Sequence, residues 1–84
     1  MSGTFLLRVE AESDAGLLAR LVGLIAQRDM EILALDLRRW RQDVSEIRLT
    51  LMSPDAHMVD ILVAKVEQMI GIYAAGVERS ALAA

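Results

Sequence analysis

The apolar residues of this chain change period along its length, and the order of those changes leaves few ways to fold it. In "TFLLRVE" (Thr4 to Glu10), Phe5, Leu7 and Val9 alternate with Leu6, Arg8 and Glu10, the two-residue period of a strand with one buried face. From Ala15 to Arg28 the spacing becomes helical. Leu17, Leu18, Leu21, Val22, Leu24 and Ile25 share one side, Arg20, Gln27 and Arg28 lie outside it, and Asp14 or Ser13 is placed to cap the start. "MEILALDLRRWRQ" returns to alternation, setting Leu33, Leu35 and Leu37 against Ile32, Ala34, Asp36, Arg38 and Trp40. After a break at Gln42 and Asp43, "VSEIRLTLM" sets Ile47, Leu49 and Leu51 against Glu46, Arg48 and Thr50, which completes a hairpin. A second helix is expected to begin with Ser53 as cap and Pro54 as first helical residue. Its inner face would be Val59, Leu62, Val63, Val66 and Met69 or Ile70, and it would stop at Gly71. "IYAAGVER" (Ile72 to Arg79) forms a closing strand, weak in its alanines and Gly76, and the residues from Ser80 to Ala84 read as a loose tail.

The order β-α-β-β-α-β is the ferredoxin-like arrangement of the α+β class. Right-handed crossovers put strands one and three at the centre of an antiparallel sheet, two and four at its edges, and both helices on one face. The opposite face would carry Leu6, Arg8, Glu10, Asp36, Arg38, Trp40, Glu46, Arg48 and Thr50, a mosaic of charges able to pair across strands. With 84 residues the chain is one domain, its core at about residues 4–79. A chain this short buries little more than roughly 60% of its unfolded surface, so a partner subunit would help it.

Composition narrows the function. The sequence has no cysteine and one histidine, His57, which leaves no material for disulfides, thiolate metal sites or a Cys/His or Ser/His relay. A formal charge of −3 provides no basic field for a nucleic-acid backbone. No apolar run reaches the roughly 20 residues of a membrane-spanning helix, and the N-terminus lacks the basic region and cleavage site of a signal peptide, so a cytoplasmic protein is expected.

The stretch "ESDAGLLARLVGLIAQRDMEILAL" (Glu12 to Leu35) resembles the signature of ACT domains, especially those of the small subunits of acetolactate synthase (acetohydroxyacid synthase). That pattern is an acidic residue, a short polar step, a small residue with Gly, then Leu-x-Arg, two apolar residues, Gly-Leu, a Gln-Arg-Gly turn, and Asn-Ile opening strand two. Gly16, Leu18, Arg20, Gly23, Leu24, Gln27, Arg28 and Ile32 stand in register with it. "MSPDAHMVDILVAKVEQMIGIYAAGVE" looks like the second half of the short-form small subunits. Two positions depart. Asp29 replaces the usual glycine, which is tolerable because Asp adopts the left-handed conformation needed just past a helix. Glu31 replaces the usual asparagine and puts a charge where the family has a neutral amide.

The resemblance implies an amino-acid effector held between two ACT domains, by the loop from strand one to helix one in one copy and the start of strand two in the other. Carried over, that site is Ser13, Asp14, Ala15, Gly16 and Leu17, with Glu31 across the interface. The chemistry is sound: the first N–H groups of a helix have no intrahelical partners and sit at the positive end of its dipole, so they can receive a carboxylate, and Gly16 removes a side chain that would block approach. Asp14 or Glu31 could face the ammonium. An ordinary reading fits the same residues, with Asp14 a helix cap, Gly16 a first-turn residue, and Gly23 a small residue that lets the helix approach the sheet or a partner.

Elsewhere, His57 reads as a solvated side chain. "RRWR" at Arg38 to Arg41 suggests nucleic acid, but alternation sends Arg39 and Arg41 to the face opposite Arg38 and Trp40, and the central strands lack the aromatic residues of an RNA-binding sheet. Arg38, Trp40 and Arg48 fit protein docking, since Trp and Arg concentrate binding energy at interfaces, while a tryptophan that shields the sheet or packs in a homodimer fits equally.

The expected function is therefore that of a non-catalytic small subunit of acetolactate synthase in branched-chain amino-acid synthesis. It would be a homodimer joined through the helix-one and strand-two edge, and would act on the catalytic large subunit in response to valine, leucine or isoleucine. Thiamine diphosphate, FAD and magnesium would belong to that large subunit. The rival is a free-standing ACT module that binds a small amino acid or only dimerises.

Overall fold

The computed structural model describes residues 3–79, so the tail expected from Ser80 onward lies outside it. Strand β1 (Gly3–Glu12) leads to helix α1 (Ala15–Ala26), the hairpin β2 (Glu31–Arg41) and β3 (Val44–Ser53), helix α2 (Ala56–Glu67) and strand β4 (Ile72–Arg79). All ladders are antiparallel and the sheet order is β2-β3-β1-β4, the ferredoxin-like topology expected from the sequence.

Alternation decides what is buried. Phe5, Leu7, Val9 and Ala11 of β1 and Ile47, Leu49 and Leu51 of β3 point under the helices, against Leu17, Leu21 and Ile25 of α1 and Val59, Leu62 and Val66 of α2. Each such Leu, Ile or Val stabilises the fold by roughly 1.5–3 kcal/mol. Val63 and Met69 pack at the margin of this core, whereas Ile70 is exposed. Gly23 lies between the inward positions Leu21 and Ile25, and nothing stands within 4 Å of the place its side chain would occupy, so it does not serve close approach to the sheet.

Helix boundaries differ from the periodic pattern for local reasons. Asp14 and Asp55 are the N-caps, each with extended backbone and a side-chain oxygen accepting the N–H two residues on. Ser53 is thus not the second cap. It is the last inward residue of β3, fully buried, and its hydroxyl is engaged with the backbone of Asp55, which leaves Pro54 in the link. Helix α1 ends at Ala26 rather than Arg28, because Arg28 N–H bonds Ile25 O and Asp29 takes φ 56°, the left-handed turn that its side chain tolerates. Helix α2 ends at Glu67 rather than running to Gly71: Gln68 and Met69 donate to Lys65 O and Val66 O in tighter, three-residue turns. Gly71, at φ 95°, then swings the chain into β4 and accepts the Glu12 N–H at 2.9 Å.

Strand β2 corrects the expected alternation. Ile32 stands opposite the buried Leu51, Ala34 opposite Thr50, and Leu35 opposite Leu49, so Leu33 is an extra residue with no ladder partner. This bulge puts Ile32 on the helix side with Leu35 and Leu37, not on the opposite face. A second irregularity at Trp40 sets Arg41 opposite Val44, on the same side as Arg38 and away from Arg39, which pairs with Ser45.

Candidate functional site

The β1–α1 loop is fastened at both ends. β1 runs two residues further than the alternating apolar pattern indicates, to Glu12. Ser13 then donates its N–H to Asp43 O at 3.0 Å and shares a 2.7 Å hydroxyl contact with Ser45. Ser45 is almost wholly buried at the start of β3, and its role leaves no periodic signal in the sequence.

At the helix start the carboxylate of Asp14 accepts from Gly16 N–H at 3.0 Å, while Asp14 O accepts from Leu17 and Leu18 N–H at 3.1 and 3.2 Å. The N–H groups of Asp14 and Ala15 have no partner among the described residues. Those two amides are open to an incoming carboxylate, which would otherwise have to displace the side chain of Asp14 from Gly16. Leu17 is buried in the core and positions the helix. Gly16 is exposed, and an added Cβ would meet only the Asp14 carboxylate at an ordinary 3.4 Å, so the chain's own packing does not require glycine there.

Glu31 lies elsewhere. It opens β2 opposite Met52, which itself stands opposite Thr4, whereas the loop follows Glu12 at the other end of β1. Eight residues of strand at about 3.4 Å each separate the two ends, some 27 Å. One copy alone does not bring Glu31 to Ser13–Gly16. Beside Glu31, in the α1–β2 turn, the Nε of Arg28 is buried with no hydrogen-bond partner among the described residues.

The face without helices carries the expected charge mosaic. Glu46 receives Arg8 at 3.2 Å on one carboxylate oxygen and Arg48 at 3.2 Å on the other, and Asp36 receives Arg38 Nε at 3.0 Å. Arg38 and Arg48 are thus both on this face, held by acids rather than free. Trp40 is 56% exposed with the Arg41 guanidinium 4.6 Å from its ring centre, so it does not shield the sheet of its own chain. An open depression of about 370 Å³ lies over Ala74 and Gly76, rimmed by Arg8, Glu10, Glu46 and Glu78; none of the Ser13–Leu17 residues touches it.

The helix layer stops short of β2. Leu35 and Leu37 are 42% and 43% exposed although their ladder partners, Leu49 and Ile47, are buried, and the bulged Leu33 is 46% exposed. β2 is thus an eleven-residue edge strand with three half-exposed leucines, and its outer side has no paired strand among the described residues. No helix among the described residues is long and apolar enough to cross a membrane.

No protein-family model matches the sequence, and no curated protein matches it. Solved structures match by shape. The ACT domain of a GTP pyrophosphokinase from Chlorobium tepidum superposes with a TM-score of 0.80 at 15% identity, covering 93% of this chain and 100% of that one. The C-terminal domain of the MgtC protein from Mycobacterium tuberculosis gives 0.80 at 16% identity, covering 98% and 92%. A homoserine dehydrogenase from Thiobacillus denitrificans gives 0.76 at 22% identity, over 94% of this chain and 17% of that one. The chain has the βαββαβ fold of an ACT domain, and a fold of this kind hosts many sites.

Proposed function

We propose that this chain is a regulatory ACT module working as a pair of copies and, more specifically, the small activating subunit of a thiamine-diphosphate-dependent acetolactate synthase in branched-chain amino-acid synthesis in the cytoplasm. The observation that carries the modular reading is the uncovered apolar edge at Leu35 and Leu37, which a module built to associate would present. The acetolactate synthase reading rests on the register of Gly16, Leu18, Arg20, Gly23, Leu24, Gln27, Arg28 and Ile32 with that family's signature. Chemistry, with its thiamine diphosphate, FAD and magnesium, would reside in the large subunit. This chain would shift that subunit between conformations by as much as its affinity for them differs.

Valine, leucine or isoleucine would bind between the copies, carboxylate on the Asp14 and Ala15 amides, with Glu31 of the other copy nearby. Arg38, Trp40 and Arg48 would lie toward the large subunit. Combining the chain with its cognate large subunit tests this: faster acetolactate formation supports it, and an unchanged rate without co-purification sinks it.

A second reading is favoured by the Asp14 carboxylate, which already fills part of the helix start. In that reading the chain is a free-standing ACT module that binds a small amino acid, or only dimerises, with no synthase partner. Calorimetric titration with the twenty amino acids separates sensing from dimerisation alone.

A further inference from the structure

We infer that the trough over Ala74 and Gly76, on the sheet face without helices, is the surface on which this chain receives a basic segment of its catalytic partner. This rests on the regulatory reading proposed above and names the contact through which it would act. A glycine, a shape and a charge imbalance meet there.

Glycine in the interior of a strand costs backbone entropy and packs nothing, so it marks a bulge, a bend or a close approach of something else to the backbone. At Gly76 the first two are missing. It stands in register opposite Arg8, the irregularity of this ladder lies further along between Glu10 and Ala11, and positive φ among the described glycines belongs to Gly71. Nothing stands within 4 Å of the place a Cβ would occupy. The chain's own fold therefore makes no use of a glycine at this position, which leaves a group from outside approaching the strand.

The ladder shows where that group would lie. Leu6, Arg8 and Glu10 of β1 stand opposite Glu78, Gly76 and Ala74 of β4, all on the open side. Two missing or short side chains among long ones leave the open depression of about 370 Å³, floored by backbone.

Its charge is unbalanced. Glu46 is matched, holding Arg8 and Arg48 at 3.2 Å on its two oxygens. Glu10 stands directly opposite Glu46, where a like charge destabilises a ladder, and neither Glu10 nor Glu78 forms an ion pair among the described residues. These two carboxylates rim opposite ends of the trough, four residues of strand or about 14 Å apart, leaving each to its own cation. A protein segment with two basic side chains matches both. Arginine suits the site best, because its planar fork grips a carboxylate with paired hydrogen bonds while its stem covers the bare floor.

Substitution separates fit from charge. Gly76→Val fills the trough, and valine favours a strand, so this variant should melt no lower than the wild type. Its complex with the cognate large subunit, followed by calorimetry, should weaken roughly tenfold or more at every salt concentration. The double variant Glu10→Gln, Glu78→Gln should bind roughly tenfold more weakly at low salt, and the difference from wild type should vanish near about 1 M salt. If the wild type binds the large subunit and both variants bind it equally well, the docking surface is overturned and the regulatory reading stands. A Gly76→Val chain whose sedimentation by itself differs from wild type assigns the trough to a second copy and likewise overturns the inference. A wild type that forms no complex overturns both.

Discussion

The carboxylate of Asp14 accepts the backbone N–H of Gly16 at 3.0 Å, so the residue that starts α1 also occupies the anion position of its own helix. Asp14→Ala should cost about 1 kcal/mol, seen as a fall in Tm of roughly 4–8 °C in thermal denaturation. Asp14→Asn should recover most of that loss, since an amide oxygen caps as well. If both variants melt with the wild type, the cap contributes nothing.

Gly16→Ala would separate folding from the proposed effector binding. Its own packing leaves room for a Cβ, and alanine suits a helix better than glycine, so Gly16→Ala should raise stability by up to about 1 kcal/mol. The same methyl group would stand beside the open amides of Asp14 and Ala15, and amino-acid binding measured by calorimetry should weaken. A variant more stable and equally responsive would move the ligand away from this loop.

Gly71 has the opposite character. At φ 95° a side chain is strained, and its Cβ would come within 3.1 Å of both Glu12 Oε2 and Leu17 Cδ2. Gly71→Ala should destabilise the chain by about 1–3 kcal/mol in urea denaturation. An unchanged midpoint would mean the turn relaxes freely.

Glu46 bridges two arginines that the register sets face to face, Arg8 and Arg48. All three side chains reach solvent, so Glu46→Gln should cost no more than about 1 kcal/mol at low salt. The loss should shrink toward zero at about 1 M salt, where screening acts within roughly 3 Å. A large cost independent of salt would show that Glu46 has a packing role.

The sequence made β1, β3 and the two helices legible because in each one face is buried, and a buried face leaves a clean period in Leu7 and Val9, in Ile47 and Leu49, and in Leu17, Leu21 and Ile25. Strand β2 lacks that constraint. Its leucines at 33, 35 and 37 alternate well by themselves, and only the ladder with β3 reveals that Leu33 is extra and that Ile32 belongs inside. Ser53 and Pro54 mimic a helix start, but the inward pointing of Ser53 as the last residue of β3 passes the cap to Asp55. At the candidate site the Asp14 cap was readable from residue type. Ser45, which fastens Ser13, was not, because a buried serine leaves no mark in an apolar pattern. The distance between Glu31 and the loop depends on strand direction and is invisible in residue order.

The central proposal is that this chain regulates a separate catalytic subunit. The rate of acetolactate formation by the purified cognate large subunit, measured with and without an excess of this chain, tests it most directly. The account predicts a higher rate with the chain present, reduced by Leu35→Asp, which spoils the β2 edge. An identical rate in both reactions, with no complex formed between the two proteins, would contradict it.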